Sequence, residues 1–117
     1  MKLTYHGTPK PYFESLDVNR PYVPAAFAAD GFIHTTEGRE ALSIALTRFY
    51  KNDPDPFVVL YIDRDRVTAP IRYDDPDAMF PHIYGPLNRD AIVAVVDIGR
   101  ASDGTFLELP ASEGLTR

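Results

Sequence analysis

With 117 residues, a net charge of −5 and 25% charged residues, the chain has the length of one domain and a charge that nucleic-acid phosphates repel. The absence of cysteine excludes disulfides, thiolate nucleophiles and cysteine-bound zinc, and suits a reducing cytosol. MKLTYHGTPK holds no secretory h-region and the longest apolar run, FVVLYI, is far short of a membrane span, so a cytoplasmic protein without membrane or nucleic-acid partners is expected.

A mass of 13.1 kDa corresponds to a folded surface of roughly 6,400 Å² against about 19,000 Å² unfolded, so a core can form without staples. KLTYH reads as a first strand, ended by Gly7 and the Pro9/Pro11 pair. YFESLD offers a turn or two of helix before Pro21 and Pro24 break it. PAAFAADG is a short helical turn that Gly31 stops, and FIHTT follows as a strand. The one long helix comes next. Thr36 is its expected N-cap, Glu37 sits in its first turn, and Leu42, Ala45, Leu46, Phe49 and Tyr50 mark its buried stripe. FVVLYID is a strand covered on both faces. IRYDD and FPHIYGP are shorter extended pieces, LNRDA turns the chain, and IVAVVDI reads as a second central strand. ASDG makes a turn, TFLEL alternates like an edge strand, and PASEGLTR is a frayed tail. The sum is α+β: six or seven strands, one long helix and one or two short ones, in a single domain over 1–117 with its core at 3–109 and its tail at 110–117.

The chain has three histidines, His6, His34 and His82, separated by 28 and 48 residues, and each follows an aromatic residue within two places. One such ring is ordinarily a partly buried histidine bonded to a backbone carbonyl. Three of them allow a zinc site, which needs convergence on one ion, or a pocket for a planar polar ligand, with imidazoles as donors and acceptors and aromatic faces for stacking. A helix starting near Thr36 would aim free N–H groups at the end of the His34 strand, with Arg39 adding positive charge for a phosphate or carboxylate. In FPHIYGPL, Pro81 and Pro86 frame His82 and Tyr84 rigidly. The acidic stretch DDPD, Asp74 to Asp77, reads as a solvated loop without the spacing of a calcium site. No G-x-G-x-x-G, P-loop, H-E-x-x-H or G-x-S-x-G is present.

YH near the start, GFIHTT before the long helix and FPHIYGPL before the last core strand, in that order over residues 3 to 98, resemble the bacterial family named Domain of Unknown Function 952. That family in turn looks like the ADP-ribosyltransferases, whose split mixed β-sheet holds NAD between two half-sheets. The resemblance implies a nucleotide or other small-molecule ligand, with NAD the implied cofactor and no metal. Tyr5-His6-Gly7-Thr8 is similar to the strand whose histidine holds a ribose hydroxyl and the nicotinamide amide. Phe32 or His34 would stand where a tyrosine stacks on nicotinamide, with Thr35, Arg39 and Tyr84 completing the binding set. The transferase glutamate has no counterpart in FPHIYGP, where His82 or Tyr84 lies nearest, and a neutral imidazole carries no negative charge. His6, His34 and His82 are the implied catalytic set, for cleavage or transfer at the ribosyl carbon. The alternatives are a non-catalytic binding module of the same fold and a metal-dependent hydrolase built on the three imidazoles. Fold alone supplies no activity.

Overall fold

The chain forms β1 (Leu3–Pro9), α1 (Lys10–Ser15), α2 (Phe27–Asp30), β2 (Ile33–His34), α3 (Arg39–Tyr50), β3 (Phe57–Asp63), β4 (Ile71–Tyr73), β5 (Pro81–Ile83) and β6 (Ile92–Ile98), with 3-10 turns at Arg64–Arg66 and Arg89–Ala91. The structure is a computed structural model and describes residues 2–109; the expected tail at 110–117 lies outside them. Among the described residues no helix is long and apolar enough to cross a membrane.

Two three-stranded sheets, β1-β3-β6 and β2-β5-β4, carry the α+β fold. They meet where Tyr5 and Thr36 exchange backbone hydrogen bonds of 2.8 Å in each direction. Every ladder between named strands is antiparallel, which corrects the expected mixed sheet. The reason is the path of α3: it leads from β2 in one sheet to β3 in the other, so it never acts as the crossover that parallel neighbours need.

β3 is buried along its whole length, as its unbroken apolar run predicts. Alternation splits it between two cores. Phe57, Val59 and Tyr61 meet Tyr5, Leu42, Leu46, Phe106 and Leu109, whereas Leu60 and Ile62 meet Tyr22, Ile33, Ile83 and Leu87. The second core is the layer between the two sheets. It is filled by Tyr22 and aliphatic side chains, so the half-sheets do not enclose an open cavity at that point.

Other expectations need correction. IVAVVDI forms β6 at a sheet edge, paired only with β3, and its Val95 is exposed. TFLEL forms no strand. Its Phe106 folds in against Phe57, and a single bridge joins Arg100 to Phe106. Arg100 holds this segment by donating to the carbonyls of Tyr50, Lys51, Asp53, Asp55 and Gly104 while its guanidinium lies 4.1 Å from the Phe106 ring centre. The long helix starts at Arg39 with Gly38 as N-cap, because the Thr36 backbone is already committed to Tyr5. Its buried residues are Leu42, Ser43 and Leu46; Phe49 faces solvent, and Tyr50, half-exposed, lays its ring 5.1 Å from that of Phe57. Ser43 replaces the expected apolar contact with a hydrogen bond of 2.8 Å from its hydroxyl to the Leu107 carbonyl. Gly31 does stop α2, at φ 78° in the left-handed region that glycine adopts without strain.

β1 runs on through Gly7 to Pro9. A Cβ at Gly7 would stand 2.6 and 2.8 Å from the two methyl carbons of Leu46, so this glycine lets α3 close onto the strand. Gly7→Ala is expected to destabilise the protein by about 1–3 kcal/mol through overpacking. In a Leu46→Ala background most of that loss should disappear. Urea denaturation of the four proteins measures the coupling, and additive losses would contradict the account.

Candidate functional site

Ile33 pairs with Ile83 and Ile83 with Ile71, so the three short strands turn an isoleucine row into the second core. The adjacent row must then face outward. It consists of His34, His82 and Arg72, in register across β2, β5 and β4. Phe32, Tyr84 and Asp74, each two residues from a member of that row, share its side.

The side chains pack tightly. Phe32 stacks on His82 with ring centres 4.1 Å apart, and lies 4.6 Å from His34 and 5.2 Å from Tyr84. The His34 and His82 ring centres are 5.3 Å apart. Asp74 Oδ2 accepts from His82 Nδ1 at 3.0 Å and from the Tyr84 hydroxyl at 2.6 Å. Asp30 Oδ2 accepts from His34 Nε2 at 3.1 Å. The Arg72 guanidinium lies 5.1 Å from the Tyr84 ring centre. The Tyr84 hydroxyl, followed by the His82 ring, holds the Asp74 carboxyl below the usual carboxylate range, and the same bond pushes the Tyr84 phenol up.

His6 stands apart from this face. Its side chain belongs to the buried side of β1, and it meets the backbone of His34 rather than the ring. His6 Nδ1 is 2.6 Å from the His34 carbonyl oxygen, and Nε2 is 2.8 Å from the Tyr22 hydroxyl. A carbonyl only accepts, so Nδ1 carries the proton and Nε2 accepts from Tyr22. Both nitrogens are therefore engaged, which removes the lone pair that a three-imidazole metal site needs. Among the described residues no group of three or more His, Asp or Glu side chains is disposed to hold a metal ion.

Of the other expected binding residues, Gly7 packs on Leu46, and Thr8 is buried beside the Tyr22 hydroxyl. Thr35 is buried between Thr4 and the Pro81 carbonyl, at 2.8 and 2.6 Å. Arg39 donates to the Leu109 carbonyl at 2.9 Å, away from the histidines, because α3 begins five residues beyond His34. Phe32, His34, His82 and Tyr84 are brought together. Asp30, Arg72 and Tyr22 join them or support them without having been singled out, and Asp74, expected only as part of a solvated acidic loop, bonds His82 and Tyr84. The signal for Arg72 and Asp74 was the alternation in IRYDD. Asp30 stands one turn before His34 across a glycine stop, and Tyr22 had no local signal.

A family model described as Protein of unknown function (DUF952) matches residues 7–95. The chain belongs to the DUF952 family. The crystal structure of protein CC0527 from Caulobacter crescentus is similar to it, with a TM-score of 0.75 and 19% identity over 90% of this chain and 93% of that one. The solution NMR structure of CC0527 has a TM-score of 0.69 and 20% identity over 89% and 90%. These likenesses show a shared fold. No curated protein matches the chain.

In this DUF952 protein, burial lowers the His6 pKa from 6.5 to about 4. Burial also pushes the Tyr22 phenol up, so it remains a donor. Between those two His6 values the unfolded ring takes up a proton that the folded ring refuses. The contribution of His6 to stability is thus fully present above about pH 6.5, and about 3 kcal/mol of it is lost as the pH falls from 6.5 to about 4. Asp74, Asp75 and Asp103, whose carboxyls are held below 3.8, lose their contributions only beneath that window. His6→Gln is expected to flatten the slope between pH 6.5 and 4.5 in urea denaturation; an unchanged slope would place its origin elsewhere. Tyr22→Phe, which leaves Nε2 without a donor, should cost about 1–3 kcal/mol at pH 7, measured the same way.

Proposed function

We propose that the outward face of the β2-β5-β4 sheet binds a nucleotide, with NAD or a related dinucleotide as the ligand class. The observation that carries this reading is the shared register of Arg72, His82 and His34, flanked by Phe32 and Tyr84. Planar rings offer stacking surfaces to a base or a nicotinamide, and Arg72 with two imidazoles offers donors to phosphate and ribose oxygens. The strand order, split beside His6 into two three-stranded halves, supports the likeness to an ADP-ribosyltransferase fold. His6 enters as a positioning residue: its bond to the His34 carbonyl sets the height of β2 and hence of the His34 side chain.

Ribosyl transfer is not part of the reading. An oxocarbenium-like centre calls for a carboxylate aimed at it, and the two carboxylates that touch the cluster, Asp30 and Asp74, are each directed by Oδ2 onto an imidazole. Binding without nicotinamide release is the expectation.

Calorimetry and thermal shift with millimolar NAD and ADP-ribose test this. Saturable binding is expected, weakened roughly tenfold or more by Phe32→Ala through loss of a stacking partner. Neither heat nor a shift in melting temperature with either ligand would end the proposal.

A further inference from the structure

Each imidazole of this face is tethered to an aspartate through one ring nitrogen, and through opposite ones: His34 uses Nε2 on Asp30, His82 uses Nδ1 on Asp74. In each case the carboxylate accepts the N–H, so the other nitrogen, Nδ1 of His34 and Nε2 of His82, is left to accept or donate a proton. The rings stand 5.3 Å apart at 71°, fixed by Phe32 against both. Arg72 is the next residue in the same row. A cation beside two proton carriers fits a reaction in which charge builds on non-bridging oxygens and a proton is needed on the leaving atom.

We infer that His34 and His82 form a general base and general acid pair, with Arg72 as the contact for the phosphoryl oxygens, that hydrolyses a phosphodiester bond of a nucleotide. This rests on the reading of the same face as a nucleotide site. His34, whose side chain is 62% exposed, takes a proton from water as the water oxygen forms its bond to phosphorus. His82, 19% exposed, starts as the imidazolium and gives its Nε2 proton to the ester oxygen as the P–O bond to it breaks. The products are a phosphate monoester and an alcohol. Afterwards His34 holds the proton and His82 lacks one, and exchange with solvent resets the pair. No oxidant, reductant or metal enters the balance. The titratable and charged groups against the pair are Asp30 from α2, Arg72 and Asp74 from β4 and its exit, Tyr84 after β5, and His6 behind β2.

The test uses the full chain with 2′,3′-cyclic AMP, in the presence of EDTA, followed by chromatography of the adenosine monophosphates. Turnover with a bell-shaped pH profile is expected, and His34→Gln and His82→Gln should each lower kcat at least a hundredfold. Arg72→Gln should also lower it while the protein stays folded by circular dichroism. Turnover lost in EDTA, or retained in both histidine variants, overturns the inference. Calorimetry on the same samples separates the two proposals: nucleotide binding without hydrolysis removes the acid–base pair and leaves the binding face. No binding of NAD, ADP-ribose or the cyclic nucleotide removes both.

Discussion

The hydrogen bond from His6 Nδ1 to the His34 carbonyl joins the two sheets of this protein. Beside it, Tyr5 and Thr36 exchange backbone bonds, and Thr4 bonds Thr35 through their hydroxyls. β2 is only two residues long, too short for its pairing with β5 to fix its position. Its place is set from beneath, by a ring that is itself held by Tyr22. Because that ring is buried, it stays neutral and keeps one tautomer, so the bond to β2 persists through the physiological pH range.

From that anchor the rest follows by alternation. With β2 held at one height, Ile33 must enter the layer between the sheets and His34 must leave it. The same parity carries across to β5 and β4. A slip of one residue would bury Arg72, His82 and His34 and expose three isoleucines, a loss of several kcal/mol from the aliphatic burial alone. The register of the candidate site is thus enforced by the core behind it. The packing of Phe32 on His82, and the sharing of Asp74 between His82 and Tyr84, then restrict the side chains.

DUF952 membership and the fold shared with CC0527 describe the frame; the chemistry resides in the face itself. Two imidazole–aspartate pairs with an adjacent arginine differ in kind from a carboxylate-centred transferase site. The difference matters because an imidazole can carry protons in both directions near neutrality, whereas a carboxylate mainly supplies charge.

Local order was legible in the residues alone. FVVLYID read as a doubly covered strand because its unbroken apolar run places large side chains on both faces, and Gly31 as a helix stop because glycine takes the left-handed turn without strain. The clustering of Phe32, His34, His82 and Tyr84 was legible too, since each sat at the apolar, ring-bearing end of a short strand. Tertiary structure decided the rest. It turned His6 from a ligand contact into a buried support, because strand parity, invisible without partners, assigns β1 side chains to one core or the other. It took Arg39 away from the histidines, because Thr36 spent its backbone on Tyr5 before a helix could start. And it recruited Asp30, Asp74 and Tyr22, whose roles depend on distances between segments that are remote or unremarkable along the chain.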